Sequence, residues 1–466
     1  MDKSSYKIGF VGLGVMGLNL ARNTASHNFA VLGWDPQEEQ RRLAKEHHIP
    51  CADSIQDMVD QLESPRKILL MVPAGNPVDQ VIQSIKPFLE AGDIIMDGGN
   101  SFFKDTNRRS QLLAADDIHF MGLGISGGHK GALEGPAIMV GGNKEAYAEI
   151  QLMLEALAAS YEGTPCIDYM GKDSAGHYVK MIHNGIEYGL MQILAEAYDL
   201  LVHLEGYTYK NCADLFQEWN KGRLQGYLVT ITADILAKST GKNPILDEIF
   251  DVAGQKGTGS WAAQNALELG VPVPGIDAAI HMRQISGYWK ERQALSDSLD
   301  GNMPARQESG IGVEMVEKAV YSAMLLVFIQ GFHQLQVASK DYGYSYSLSQ
   351  VAKTWRNGCI INAQMVRFLA ETLESATTHP LLVPAISDQL ELAIEGLRFV
   401  VSLATRNGLY LPGMSANLGY WDAFSRAKLP TNLIQAQRDY FGGHGYQTSA
   451  DSPLTSYPWE DNETSS

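Results

Sequence analysis

The run Lys7-Ile8-Gly9-Phe10-Val11-Gly12-Leu13-Gly14-Val15-Met16-Gly17 decides the fold. A short apolar, strand-like segment ends on GxGxxG, and a helix-compatible stretch follows. The first Gly permits a tight turn, the second lets the backbone approach a pyrophosphate, and the third allows close helix packing. The free N–H groups and positive dipole end of that helix would then face the phosphates. Asp35 ends the second strand-like run, 23 positions after Gly12. A carboxylate there accepts hydrogen bonds from a ribose 2′-OH and repels a 2′-phosphate. Pro36, Gln37, Glu38 and Glu39 come next, and Arg41 and Arg42 stand only on the following helix turn. On charge, NAD is favoured over NADP.

Outward from this run the texture alternates. Phe29–Trp34, Lys67–Val72 and Asp93–Asp97 are apolar and strand-like, and Pro36–His47 and Pro77–Glu90 between them are helix-length and charged. Ile118–Gly122 and Ile138–Val140 would extend the sheet. This rhythm predicts an α/β domain, with a parallel sheet and crossover helices. After about Gly171, apolar residues recur at helical spacing over Val179–Leu204, Asn211–Lys238, Ile276–Leu299, Glu314–Lys340, Gln364–Glu374 and Leu381–Asn407. That predicts a large all-α domain. The segment from Thr431, with its Pro, Gly and Ser clusters, reads as an extended tail. The expected division is 1–173, 174–431 and 432–466. Aligning Lys180 with Lys318 also matches Ile182 to Val320 and Gln192 to Gln330. This is either a duplicated helix or a chance match of two amphipathic ones.

Composition bounds the partners. The 466 residues carry 36 basic and 53 acidic side chains, a net charge of −17. Such a chain lacks the basic footprint that nucleic acid or an anionic membrane needs. A small anion can still be held by a few local cations. The longest apolar run, Ala319–Ile329, is far short of the roughly 20 residues that span a bilayer. Met1-Asp2-Lys3-Ser4-Ser5 leads straight into the first strand, so no signal peptide is expected. Cys51, Cys166, Cys212 and Cys359 form no CxxC pair, which suits reduced thiols in the cytoplasm.

The chemistry concentrates in Lys180-Met181-Ile182-His183-Asn184-Gly185-Ile186-Glu187-Tyr188. On a helix, Lys180, His183, Asn184 and Glu187 share one edge, beside the stripe Ile182, Ile186, Leu190 and Ile193. Four polar groups beside a buried face cost stability unless they are paired or meet a ligand. A surface polar strip is the other reading of this spacing. Next to a buried face a Lys is poised to be a base and a Glu an acid. Asp97-Gly98-Gly99-Asn100-Ser101 and Ser126-Gly127-Gly128 follow strand ends, where α/β sheets place ligands, although each read singly is equally a turn. Gln255-Lys256-Gly257-Thr258-Gly259-Ser260 reads as an anion-binding loop or as a flexible one. Lys256, Arg283 and Arg438 are three well-separated cations of the kind a phosphate dianion needs.

These segments together resemble the 6-phosphogluconate dehydrogenase family over nearly the whole chain. The resemblance is carried by Gly12–Gly17, Ile94–Ser101, Ile125–Gly128, Gly176–Tyr188 and Gly254–Gly259. It continues in Leu429-Pro430-Thr431-Asn432-Leu433-Ile434-Gln435-Ala436-Gln437-Arg438-Asp439-Tyr440-Phe441-Gly442-Gly443-His444. It implies oxidation of 6-phosphogluconate at C3, loss of CO2 and tautomerisation to ribulose 5-phosphate, without a metal. It further implies that Lys180 is the base that takes the 3-OH proton and then the acid at the keto oxygen. Glu187 would deliver the proton to C1. Asn100, Ser126, Gly127, Gly128, His183 and Asn184 would hold the carboxylate and hydroxyls. Tyr188, Lys256, Thr258 and Arg283 would bind the phosphate, with Arg438 and His444 entering from the second subunit of a homodimer. The cofactor, NAD or NADP, would lie on Gly12, Gly14, Val15, Met16, Gly17, Asp35, Val72, Ala74 and Asn100.

The chain also departs from the family pattern. Asp35-Pro36-Gln37 replaces the usual Asn-Arg-Thr, which removes the 2′-phosphate anchor. His129-Lys130 replaces two acidic residues, Pro73 a Lys, and Asn357-Gly358-Cys359-Ile360-Ile361-Asn362 a segment ending in Arg. A β-hydroxyacid dehydrogenase of the 3-hydroxyisobutyrate type shares the fingerprint and a Lys, but such chains are shorter and lack the phosphate set. A non-catalytic nucleotide-binding protein would not need Lys180 and Glu187.

Overall fold

Strand and helix alternate from the first glycine run onward in the computed structural model, which describes residues 6–241, 243–255, 257–299 and 310–459. The order is β1 (Ile8–Val11), α1 (Val15–Ser26), β2 (Val31–Trp34), α2 (Glu38–Glu46), α3 (Ile55–Asp60), β3 (Lys67–Leu70), α4 (Asn76–Ile85), β4 (Ile94–Asp97), α5 (Phe103–Ala114), β5 (His119–Ser126), α6 (Gly128–Glu134), β6 (Ala137–Gly141) and α7 (Lys144–Leu157). A seventh strand, Ile167–Gly171, closes the sheet, whose order is β2-β1-β3-β4-β5-β6-seventh. Almost every residue of β1 to β6 is buried, as expected of strands covered on both faces. Leu20, Ile150 and Leu154 pack on one side, and Met58, Val78 and Ile82 on the other.

The expected all-parallel arrangement holds from β2 through β5 but not beyond. β6 runs antiparallel to β5, and the seventh strand is parallel to β6. The link from Ser126 to Ala137 contains only the short α6, whereas a parallel return takes a crossover of a dozen or more residues.

The helical part begins with α8 (Ala175–His203) and continues with α9 (Tyr209–Trp219), α10 (Tyr227–Leu236), α11 (Thr258–Leu269), α12 (Pro274–Gly287), α13 (Trp289–Ser298), α14 (Val313–Asp341), α15 (Leu348–Thr354), α16 (Gln364–Thr372), α17 (Pro384–Arg406) and α18 (Pro412–Phe424). Two of the stretches with helical spacing are each divided into two helices. Asn211–Lys238 becomes α9 and α10, parted by residues 220–226, where Gly226 pairs its backbone with Ala363. Ile276–Leu299 becomes α12 and α13, parted at Tyr288.

α8 and α14 are each 29 residues long. They pack through glycines, Gly189 against Val327 and Gly331 against Ile186. α14 is long and apolar enough to cross a membrane, yet most of it is buried within the protein as the core helix of this half. The apolar run noticed in the sequence is its centre.

By compactness the chain divides into residues 1–417 and 418–466. The sheet and most of the helices therefore form one unit. In the second unit Thr431–Gly442 is helix α19, not extended chain. Gly443, with φ +59°, ends it. Beyond it Tyr446 and Thr455 form an antiparallel bridge.

Contact between sheet and helix is set at Gly176, in the first turn of α8. A Cβ there would lie 2.3 Å from the Gly122 carbonyl oxygen and 2.4 Å from that of Met139. Gly to Ala in a helix ordinarily gains about 1 kcal/mol. Here Gly176→Ala is expected to cost about 1–3 kcal/mol from overpacking, read as a lower denaturation midpoint at unchanged m-value. A midpoint at or above wild type would show that the helix has room to move.

Candidate active site

The glycine fingerprint builds a cradle at the N-terminus of α1. Gly12 has φ +95°, a conformation other residues resist. Gly17 sits where a Cβ would be 1.9 Å from the Gly12 carbonyl oxygen. A Cβ on Gly14, by contrast, would meet nothing within 4 Å, and Val15 is 70% exposed. The N-terminus of α1 has no side-chain cap. Open space above uncapped N–H groups fits a dinucleotide's diphosphate.

Asp35 stands just beyond β2 and is buried. Its carboxylate accepts from the backbone N–H of Leu13 at 2.8 Å and of Gln37 at 2.9 Å. These bonds fix the acid at the edge of the cradle. Arg41 does not face outward; its guanidinium donates to the carbonyls of Asp35 at 2.6 Å and Pro36 at 3.2 Å. Arg42 pairs with Glu46. The loops after β3 and β4 run beside each other, with Val72 and Ala74 in one and Asn100 in the other. A Cβ on Gly99 would lie 3.1 Å from the Val72 carbonyl oxygen.

The polar edge of α8 is buried. Lys180 is 6%, His183 0% and Asn184 7% exposed, so they are no solvated strip. The Lys180 ammonium faces Nδ1 of His183 at 3.4 Å, and Nε2 of His183 faces the Ser126 hydroxyl at 3.1 Å. Nδ1 also lies 3.7 Å from a Glu187 carboxylate oxygen. Burial pushes the Lys180 pKa below the usual lysine range, against the pull of Glu187. Burial pushes Glu187 above the usual carboxyl range, against Lys180 and Arg283. His183 is held well below its ordinary value by burial and by Lys180, so its ring is neutral near pH 7. A base-prone Lys and an acid-prone Glu thus share one helix face.

Ser126 ends β5 beside this face. Gly127, with φ +119°, turns the chain there, and a Cβ on it would meet the Gly358 carbonyl oxygen at 2.6 Å. Gly128 opens α6 with φ +61°.

Tyr188 follows Glu187 and lies under Arg283, whose guanidinium carbon is 3.6 Å from the ring centroid. Arg283 also donates to the Gly254 carbonyl at 3.2 Å. Gly259 packs on the other edge of the Tyr188 ring. Thr258, buried, begins α11 directly after Gly257, which has φ +88°. The presumed loop at Gln255–Ser260 is therefore, from Thr258 on, a helix start; Lys256 lies outside the described residues.

Arg438 and His444 belong to the second unit. Arg438 donates to Gln435 at 3.1 Å on α19, and His444 stands edge-on to Phe441. Between them Asp439, 2% exposed, is a residue the sequence reading passed over. Its carboxylate accepts from Gly445 N–H, Ser456 Oγ, Tyr457 N–H and Trp459 Nε1 at 2.7–3.1 Å. Burial would raise its pKa, but these four bonds hold it at about 2. It ties the segment after α19 back onto the helix. Its neighbours were legible as a motif; its own role needed contacts up to twenty residues away.

The fold and these two adjoining sites define a Rossmann-type dehydrogenase with a helical second half. The family model described as the NAD binding domain of 6-phosphogluconate dehydrogenase matches residues 7–171, and the one described as 6-phosphogluconate dehydrogenase, C-terminal domain, matches 176–459. The chain belongs to the 6-phosphogluconate dehydrogenase family. It is 45% identical to the NADP(+)-dependent, decarboxylating 6-phosphogluconate dehydrogenase of Bacillus subtilis, over 95% of this chain and 97% of that one. It is 44% identical to the decarboxylating enzyme of Escherichia coli, with the same coverage. The solved structure of Plasmodium falciparum 6-phosphogluconate dehydrogenase superposes with a TM-score of 0.93 at 34% identity, covering 97% of this chain and 100% of that one.

The pH behaviour of Lys180 is directly measurable. Competitive acylation of its amine across pH should give a midpoint below 10.5. Glu187→Gln, which removes the carboxylate that favours the ammonium, should lower it further. A midpoint raised by that change would contradict the arrangement.

Proposed function

We propose that the protein oxidises and decarboxylates 6-phosphogluconate to ribulose 5-phosphate and CO2, with NAD preferred over NADP. The observation that carries the reaction is the edge of α8 on which buried Lys180 and His183 meet the partly exposed Glu187 beside Ser126. A bound nicotinamide cofactor supplies the hydride acceptor. Lys180, made more acidic by burial, takes the proton from the 3-OH as C3 is oxidised. The resulting keto group is β to the carboxylate and serves as the electron sink when CO2 leaves, so no metal is required. Lys180, now protonated, stabilises the enolate oxygen. Glu187, whose proton is retained more strongly than in water, delivers it to C1. Asn100, Ser126, Gly127, Gly128, His183 and Asn184 hold the carboxylate and hydroxyls. Tyr188, Lys256, Thr258 and Arg283 hold the phosphate, and Arg438 and His444 complete it across a homodimer.

The NAD preference rests on Asp35 and on the engagement of Arg41 and Arg42 with other partners. It sets this chain apart from its relative in B. subtilis, which is named NADP(+)-dependent. The four cysteines are all free, three of them buried, which supports a reducing compartment, the cytoplasm.

Turnover assays with 6-phosphogluconate should release CO2 and reduced cofactor in equal amounts. kcat/KM with NAD should exceed that with NADP by about tenfold or more, about 1.4 kcal/mol; the reverse order would overturn the preference. Lys180→Ala should lower kcat by about 10²–10⁴-fold while cofactor still binds, and near-normal kcat would remove Lys180 from the role of base. Arg438→Ala should raise KM for 6-phosphogluconate, and mixed dimers with a Lys180→Ala subunit should regain one working site. Failure of such mixtures to regain activity would exclude action across the dimer.

A further inference from the structure

Behind the two loops at the edge of the sheet lies a guanidinium that the proposed chemistry does not use. Arg109, on α5, is 2% exposed. Its Nε and Nη2 donate to the two carboxylate oxygens of Asp79, each at 3.0 Å. Asp79 stands in the first turn of α4, just after the loop that carries Val72 and Ala74. Nη2 also donates to the Gly75 carbonyl in that loop, at 2.9 Å. Nη1 turns the other way, to the Ser101 hydroxyl at 3.4 Å and to within 3.7 Å of an Asp97 oxygen.

Asp97 organises the second loop. Its carboxylate accepts from Ser101 Oγ at 2.6 Å and from the Gly99 N–H at 3.0 Å, fixing the turn that presents Asn100. Its backbone carbonyl is 3.0 Å from Nε2 of His177, one turn before Lys180 on α8. The other ring nitrogen of His177 is held by Thr106 Oγ1 at 2.7 Å. Burial keeps His177 neutral, so Nε2 donates to the carbonyl while Thr106 donates to Nδ1.

We propose that Arg109 is a positioning residue that couples the cofactor loop, Met71–Gly75, to the loop Gly98–Ser101, whose Asn100 serves both cofactor and substrate, so that filling one orders the other. A planar fork reaches three partners in different directions at once; a Lys offers a single point charge and cannot. Neighbouring Arg108 marks the contrast. It also binds Asp79 but is half-exposed, and among the described residues its hydrogen bonds and ion pairs go to Asp79 and Asp105 and not to the second loop. The coupling rests on the proposed function for its biological use, but its test does not need 6-phosphogluconate.

The experiment is hydrogen exchange of the wild type, Arg109→Lys, Arg108→Lys and Ser101→Ala proteins with and without NADH. In wild type and Arg108→Lys, NADH should slow exchange in both loops. In Arg109→Lys the slowing at Met71–Gly75 should persist and that at Gly98–Ser101 should fall well below the wild-type value, to what direct contact of NADH with Asn100 supplies. Ser101→Ala removes the hydroxyl arm of that link, leaves the 3.7 Å approach of Nη1 to Asp97 and the Asp79 ion pair in place, and should show a selective reduction of the same kind even if Arg109→Lys fails to fold. Protection of both loops undiminished from wild type in Ser101→Ala or Arg109→Lys, or of neither loop in wild type, would overturn the coupling. A uniform loss of protection across the protein would also overturn it, since that is what a merely structural role predicts. With 6-phosphogluconate as second probe, the factor by which NADH tightens its binding should fall about fivefold or more in Arg109→Lys, within the usual span of coupling energies. Absence of wild-type turnover would count against the proposed function and leave the NADH readout intact.

Discussion

The site depends on how closely one helix can approach one sheet. Gly176 and Gly141 bring the start of α8 against β6, and a Cβ on Gly141 would lie 2.3 Å from the Gly176 nitrogen. Gly124 on β5 meets the helix one turn on, where its Cβ would be 2.5 Å from that of Lys180. Ordinary side chains at these positions would hold the helix off. His183 would then be unable to reach Ser126 at the end of β5. Cores this dense do not accommodate such shifts smoothly.

Once the helix is seated, burial does the electrostatic work. Lys180 is buried and Glu187 partly so, and desolvation moves their pKa values toward each other. Their mutual attraction opposes this and falls short of cancelling it. Arg283, stacked on Tyr188, adds positive charge at the far end of the same face. A chain with a net charge of −17 thus places Arg283 beside the Lys180–Glu187 edge. The charge sum alone argued against polyanions as partners and said nothing of this local arrangement.

Much of this was legible because it repeats or sits close in sequence. The glycine fingerprint and Asp35 follow from a strand–turn–helix unit, and the Lys180–Glu187 edge follows from helical spacing. What the sequence hid was long-range or context-bound. The reversal of β6 turned on the length of one link, and the seventh strand lay in a stretch without a strand-like run of its own. Asn211–Lys238 kept its apolar rhythm across a break in which Gly226 pairs its backbone with Ala363, more than a hundred residues on. The tail's Gly and Ser residues masked α19, whose end is held by Asp439. Arg109 and Asp79 are thirty positions apart, and nothing in local spacing ties a buried Arg to a carboxylate on another helix.

The central claim is a division of labour on α8, with Lys180 serving oxidation and Glu187 serving proton delivery to C1. A single-turnover comparison in D2O tests it most directly, following reduced cofactor and deuterium at C1 of the product separately. The account predicts that Lys180→Met suppresses both signals. Glu187→Gln should form reduced cofactor at nearly the wild-type rate and incorporate deuterium slowly. Equal slowing of both signals in Glu187→Gln, or normal cofactor reduction in Lys180→Met, would contradict it.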